Sequence, residues 1–300
     1  MDLNGDGNLD LLSGSYSRQD RDMAGLLQVL WGKPDGTFGK AQVLNGSDGQ
    51  PLLLPKTEEV TDRICTRPFA VDLDGDGNLD LVAGNFTGTF AWFRGEGKGK
   101  FAPTSTWLEH DGKPLRTDGH GDPFFVDWDR DGDLDLFSGS SQGGVFYFAN
   151  EGSKTAPKFG EKVTVLKAHG HAMPGPDAEF GDAHLTGPSA DTRVWVADVD
   201  KDGKLDLLVG DQIVLLHVAA GVTEADAKTK FAAWSKKQDA FFKEQAKQAE
   251  AAEKDEKGEK KTVALTASSD FQERYEALQK ERDTFLKQES TGFVWLLRGK

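Results

Sequence analysis

Apolar residues along the first two thirds of the chain come in short runs, each entered from a polar, acidic stretch. Leu11-Leu12, Leu81-Val82-Ala83, Leu136-Phe137 and Leu207-Leu208-Val209 are all closed by a nearby glycine. A run of alternating character follows the first three, at Leu26–Trp31, Thr89–Phe93 and Val145–Phe148. A turn then leads into a short stretch opened by an aromatic, at Gly36–Gly39, Lys100-Phe101 and Lys158–Gly160. Pro68–Val71, Pro123–Val126 and Val194–Ala197 lead into the later acidic stretches. Runs this short, of period two and separated by glycine-bearing turns, predict β-strands.

Each unit therefore reads strand, acidic loop, strand, turn, strand, turn, strand. Four short antiparallel strands without connecting helices make the blade of a β-propeller. A lone blade cannot bury both its faces, so blades must stack. The predicted fold is all-β: about four four-stranded blades, as a partial ring, with an α-helical hairpin inserted. Leu79 and Leu81 flank the last aspartate of their loop and share one face, which is expected to point into the stacking core.

The acidic loops repeat one register. The first is Asp2, Asn4, Asp6, Asn8 and Asp10; the second Asp72, Asp74, Asp76, Asn78 and Asp80. The third is Asp127, Asp129, Asp131, Asp133 and Asp135; the fourth Asp198, Asp200, Asp202, Lys204 and Asp206. Their starts lie 70, 55 and 71 residues apart. Carboxylates this close repel by about 1 kcal/mol per pair at roughly 4 Å even in bulk water. Either the loops stay loose and solvated or a cation sits among them. Side chains at positions 1, 3, 5 and 9, with the carbonyl of position 7 (Asn8, Asn78, Asp133 or Lys204), supply the oxygen ligands that calcium prefers. Gly7, Gly77, Gly132 and Gly203 at position 6 permit the sharp turn. About four calcium ions are expected. A helix-loop-helix calcium sensor is excluded, because position 12 carries Ser13, Ala83, Ser138 or Val209 in place of an acidic ligand.

These loops resemble the FG-GAP or VCBS-type repeats of integrin-α-like calcium-binding propellers, over about 230 residues. The resemblance implies calcium binding and an extracytoplasmic life, secreted, periplasmic or at the cell surface. It implies no single activity, since such propellers include adhesion receptors, lectins and some polysaccharide lyases. Members usually have more blades, commonly seven. Met1 stands directly against Asp2 without a leading strand or signal peptide, so the natural beginning is expected to lie upstream.

Residues 222–290 break the pattern. Thr223 with Asp226, and Ser269 with Gln272, have the spacing of helix N-caps. Phe231, Trp234 and Phe241 or Phe242 form one apolar stripe; Phe271, Tyr275, Leu278 and Phe285 form another. Lys254–Lys261 reads as the polar turn between two antiparallel helices. The predicted organisation is blades over 1–221, the hairpin over 222–290, and the last blade's returning strand over 291–300. The hairpin either packs on the propeller or serves as a partner-binding arm. Its 14 basic and 15 acidic residues nearly cancel, so almost all of the chain's net charge of −14 resides in the blades.

That charge argues against a nucleic-acid partner. No apolar stretch is long enough for a transmembrane helix. A single cysteine, Cys65, excludes an internal disulfide framework. His169-Gly170-His171 with Asp177, Asp182 and His184 is the one candidate transition-metal cluster, set against the reading of a solvated loop. His120 with Asp122 is a further ambiguous pair. Trp31, Trp92 and Trp195 fall in strands and are expected in the core. The function expected is a calcium-stabilised binding or adhesion module for a protein or glycan. A propeller enzyme acting on polysaccharide, or a structural role, is the alternative.

Overall fold

The computed structural model describes all residues except 18–22, 170–178, 253–268 and 300. It is mostly β, a four-bladed propeller with two helices. The first blade contains β1 (Leu11–Gly14), β2 (Leu27–Leu30) and β3 (Gln42–Val43). The second contains β4 (Arg67–Val71), β5 (Asp80–Gly84), β6 (Phe90–Gly97) and β7 (Lys100–Trp107). A separate hairpin, β8 (Glu109–His110) with β9 (Lys113–Pro114), precedes the third blade. That blade is β10 (Asp122–Val126), β11 (Asp135–Gly139), β12 (Val145–Phe148) and β13 (Val163–Leu166). The fourth is built from β14 (Ala190–Ala197), the first half of β15 (Asp206–Val218) and, after the helices and β16 (Leu286–Thr291), β17 (Val294–Leu297).

Two compact units result. One comprises Met1–Ala172, Thr186–Gln212 and Gly292–Lys300 and holds the blades. The other comprises Met173–Leu185 and Ile213–Thr291 and holds α1 (Glu224–Ala252) and α2 (Ser269–Asp283). The expectation of four strands per blade holds for the middle blades, whereas the first and fourth carry three in propeller register.

The strand that follows each acidic loop pairs with the next blade strand in one common register. Val82 faces Trp92, and the equivalent Leu12, Phe137 and Leu208 face Val29, Tyr147 and Leu296. Since alternate residues point to opposite faces, each blade shows one set of side chains to its predecessor and another to its successor. Leu79 and Leu81 pack with Leu3, Leu27 and Val29 at the first junction, as their flanking positions predicted. Leu134 and Leu136 pack with Leu73, Val82 and Phe90 at the second. Leu205 and Leu207 pack with Phe137 and Val145 at the third. Phe90, Phe93, Phe101, Phe137 and Phe148 are all fully buried, each contributing roughly 1.5–3 kcal/mol by leaving water.

The glycine closing each apolar run is set by this stacking. A Cβ at Gly14, Gly84 or Gly139 would stand 1.7, 2.1 or 2.1 Å from a backbone carbonyl of the next blade, on Thr66, Gly121 or Thr192. Thr66 and Thr192 also brace their junctions. The hydroxyl of Thr192 donates to the carbonyl of Gly144 at 2.6 Å and accepts the N–H of Ser140 at 2.8 Å. Thr66 does the same with Leu26 and Ser15.

The expected helical hairpin is present over its described residues, and the Thr223 hydroxyl caps the Asp226 N–H at 3.2 Å. Phe231 and Trp234 are buried against Leu216 and Leu286, and the indole N–H of Trp234 donates to the Leu278 carbonyl at 2.7 Å. Phe241, also buried, meets Phe271 and Tyr275, while Phe242 is exposed. Two features depart from the sequence reading. Phe285 follows α2 instead of lying on it, and the residues after it form β16, paired with Ile213–Val218. The polar turn at 254–261 lies outside the described residues.

Substituting Gly139→Ala should cost about 1–3 kcal/mol in chemical denaturation, because backbone must move to admit the methyl group. Gly210→Ala, at the equivalent position of the fourth blade with no atom within 4 Å of the added carbon, should be close to neutral. Equal losses at both positions would contradict the junction geometry.

Candidate metal sites

The second, third and fourth acidic loops each join the first strand of a blade to the second, so strand pairing on both sides fixes their ends, and the first loop leads directly into β1. Position 9 works as a clamp. One oxygen of Asp10, Asp80, Asp135 and Asp206 accepts the N–H of Leu3, Leu73, Trp128 or Val199, at 2.8–3.2 Å. The other accepts the N–H of Gly32, Gly95, Asn150 or Gly299, at 2.6–2.9 Å. This carboxylate therefore closes the loop on itself and ties it to the end of the third strand. Burial raises the pKa of Asp80 and Asp135 against the lowering effect of those N–H donors.

In the second, third and fourth loops acidic side chains converge, in the fourth with the position-9 Asp206 among them. One oxygen from each of Asp72, Asp74 and Asp76 lies within 4.8 Å of the other two. The same holds for Asp127, Asp129 and Asp131, and for Asp198, Asp200 and Asp206. Backbone donors hold part of the set. The Asp72 carboxylate accepts the Gly77 N–H at 3.1 Å, and Asp198 accepts the Gly203 N–H at 3.0 Å. In the first loop Asp2 takes the N–H groups of Gly5 and Gly7, each at 2.8 Å, and Asp6 that of Asn8 at 2.9 Å. Gly77 and Gly132 have φ of 90° and 100°, a turn that other residues adopt with strain. Asn78, Asp133 and Lys204 each donate a backbone N–H to the carboxylate at position 5, at 2.7–3.1 Å.

The set is unfinished on its inner side. Asp72 Oδ1, Asp74 Oδ1 and Asp127 Oδ1 are buried and accept no hydrogen bond. Buried anionic oxygens without a donor are costly, and an all-oxygen set of this flexibility suits a hard divalent cation. In two loops a guanidinium supplies part of the missing charge: Arg94 pairs with Asp74 and Arg298 with Asp200. The two arginines stand at equivalent positions, Arg94 within β6 and Arg298 just after β17, and Arg94 also lies 4.0 Å over the Trp92 ring. Asp133 shows the strain most clearly. Burial, with Asp131, Asp135, Asp129 and Asp127 around it, raises its pKa to about 6.

A second polar constellation lies at the opposite ends of the leading strands. Arg67, Asp122 and Arg193 occupy one register position, opposite Gly84, Gly139 and Gly210. Arg193 Nε is 3.1 Å from Asp122 Oδ2. Arg67 Nη2 donates to His120 Nδ1 at 3.2 Å, which makes that nitrogen the acceptor. Arg67 Nη1 is buried without a partner. Burial and then Arg67 lower the His120 pKa, favouring neutral imidazole, while burial raises that of Asp122 against Arg193 and Arg67. Two residues further along each strand, Phe69, Phe124 and Trp195 form an aromatic row, with centroid spacings of 5.3 and 5.1 Å. Of this constellation the sequence singled out only His120 with Asp122; the shared register with Arg67 and Arg193 was the signal available.

The histidine cluster is not assembled by the described residues. His169 lies near the Thr186 hydroxyl at 3.2 Å, and His184 is half-buried with Nδ1 unpaired. His171 and Asp177 lie outside the described residues. Trp92 is buried and Trp31 partly so, as expected, but Trp195 is exposed. Its face belongs to the fourth blade, and no further blade packs on it among the described residues.

The raised pKa of Asp133 has a stability consequence. Between about pH 4 and pH 6 the metal-free folded chain holds a proton that the unfolded chain, near its ordinary value of 3.8, has lost. Thermal stability of chelator-treated protein should therefore fall as pH rises through that window, and Asp133→Asn should flatten the fall. A steady rise from pH 4 to 7 in both proteins would contradict it. Asp135→Ala should cost about 2–4 kcal/mol in denaturant melts, because two buried N–H groups lose their acceptor.

Comparison with known families agrees with this geometry. Residues 72–138 and 127–209 each match the FG-GAP-like repeat. The first match covers the second and third acidic loops, and the other the third and fourth. No curated protein matches the chain. Loops, register and blade stacking converge with these matches, and the chain is an FG-GAP-type repeat protein.

Proposed function

We propose that the chain is a calcium-stabilised extracytoplasmic binding module whose propeller presents a ligand surface to a protein or glycan. The observation that carries this reading is the convergence of three carboxylates in the second, third and fourth loops, with buried oxygens in the second and third that accept no hydrogen bond. Bound calcium would supply the positive charge that cancels their repulsion. Asp72, Asp74 and Asp76 would hold it in the second loop, Asp127, Asp129 and Asp131 in the third, and Asp198 and Asp200 in the fourth. Asp2, Asn4 and Asp6 would form the corresponding set in the first. The clamp at position 9 keeps each loop in shape, so ion binding is transmitted to the strands on either side.

The fold supports ligand binding by leaving the opposite ends of the leading strands free of metal chemistry. Arg67, Asp122 and Arg193 meet there from three blades, beside the aromatic row. An acidic group on a ligand would find guanidinium donors, and a sugar ring or apolar side chain an exposed indole. No helix among the described residues is long and apolar enough to cross a membrane. An extracytoplasmic setting, where free calcium is high, suits loops of this exposure.

Thermal melts in calcium and in chelator test the stabilising half of the proposal. Calcium should raise the melting temperature markedly, and Asp127→Ala should remove part of that rise without abolishing the fold in calcium. Identical melts in both conditions would refute it. For the ligand half, capture on arrays of acidic and neutral glycans and of extracellular matrix proteins should be lost in Arg193→Ala. Capture unchanged by that substitution would move the ligand surface elsewhere.

A further inference from the structure

The helical unit carries a pocket whose walls follow from local periodicity. On α1, Phe231, Trp234 and Gln238 stand at i, i+3 and i+7 and share one face. On α2, Tyr275, Gln279 and Arg282 stand at i, i+4 and i+7 and do the same. Leu216 of β15 and Gln288 of β16, opposite each other in register, complete the lining. The cavity has a volume of about 80 Å³.

Most of the lining is held by bonds that leave the cavity free. The Trp234 indole is fixed by its N–H bond to the Leu278 carbonyl, and its ring stacks on Phe231 at 5.7 Å. Asp283 accepts Nε and Nη2 of Arg282, and Gln288 Oε1 accepts Nη1. Arg282 is the one charged residue of the lining, and Asp283 neutralises it. Gln279 departs from this order. Its side chain is half-buried, and its Nε2 is buried without a hydrogen-bond partner. A buried amide donor left unmet is costly, and native chains leave few. Beside it Leu216, Phe231 and Trp234 are all buried and form an apolar wall.

These properties select a chemical group. It is uncharged, offers an acceptor to Gln279 and has an apolar end for the wall. It is also small, since cavities that hold a whole drug-sized ligand run to roughly 300–1,000 Å³. An acetamido group meets each requirement: its carbonyl oxygen faces Gln279 and its methyl group the aromatic wall. Water alone would satisfy the amide but leave that wall wet. Around the cavity, the amides of Gln238 and Gln288 and the phenol of Tyr275 match the hydroxyls of a sugar ring better than the methylene stem of an acetylated lysine.

We propose that this pocket anchors N-acetylated sugars by their acetamido group, with Gln279 as the donor that selects it. The site is formed entirely by residues of the helical unit.

Saturation-transfer NMR on the full chain tests this, with N-acetylglucosamine, glucose and an acetyl-lysine peptide as probes. The acetyl methyl of N-acetylglucosamine should receive the strongest saturation. Gln279→Leu keeps the bulk and removes the donor, and should weaken N-acetylglucosamine binding about tenfold. Gln279→Met provides an independent variant, and matching far-UV circular dichroism shows that both are folded. Arg193→Ala, in the blades, should leave this binding unchanged, which separates the pocket from the blade surface. Absence of methyl saturation in the wild type would overturn the proposal, as would saturation unaffected by both Gln279 variants. Saturation of the acetyl-lysine peptide alone would also overturn it and assign the pocket to an acetylated protein.

Discussion

The blades depend on how negative charge is held at one end of each strand pair. Several carboxylates are brought together in each loop, and repulsion between them would open it were the backbone not committed to their oxygens. The clamp at position 9 is that commitment: two N–H donors, one inside the loop and one at the end of the third strand, grip a single side chain. It holds the loop closed and aligns the leucines on either side with the junction core. The remaining carboxylates then face one another with oxygens unsatisfied, and this leaves room for an ion. Arg94 and Arg298 offset the charge in two loops from the protein's own stock. Loops with and without such an arginine should differ in how strongly they need the ion.

Junction packing turns this local order into a fold. The leucine pair that follows from the loop register fills the face of the preceding blade, and the closing glycine lets the next backbone approach. One repeating segment thus carries the ion set, the clamp, the inserting side chains and the point of closest contact. That economy explains why the motif tolerates change between its clamps, as with Arg130 and Lys201 in place of Gly75, but keeps its aspartates, leucines and glycines in step.

Much of this was legible in the sequence because it is local and repeated. The spacing of aspartates gave the loops, the alternation of apolar residues the strands, and Thr223 with Asp226 the start of the first helix. What was not legible depends on relations between distant segments. Strand β16 pairs with the far half of β15 across the whole helical insertion, and its stretch Lys287-Gln288-Glu289-Ser290 has no apolar alternation to announce it. Trp195 reads as core by its alternation, yet its exposure depends on whether another blade follows. The constellation at the opposite ends of the leading strands was half visible in His120 and Asp122. Joining it to Arg67 and Arg193 required aligning the leading strands by register. The ninth aspartate read as one ion ligand among five, and its clamp role emerged only with the N–H donors that converge on it.

The claim that an ion completes these loops is tested most directly by calorimetric titration of the metal-stripped chain with calcium. About four binding events, one for each acidic loop, are expected, with the count falling when Asp72 and Asp74 are both replaced by alanine. An absence of binding heat up to millimolar calcium, in a chain that is folded throughout, would mean that the clamps alone hold the loops and that the carboxylates face one another without an ion.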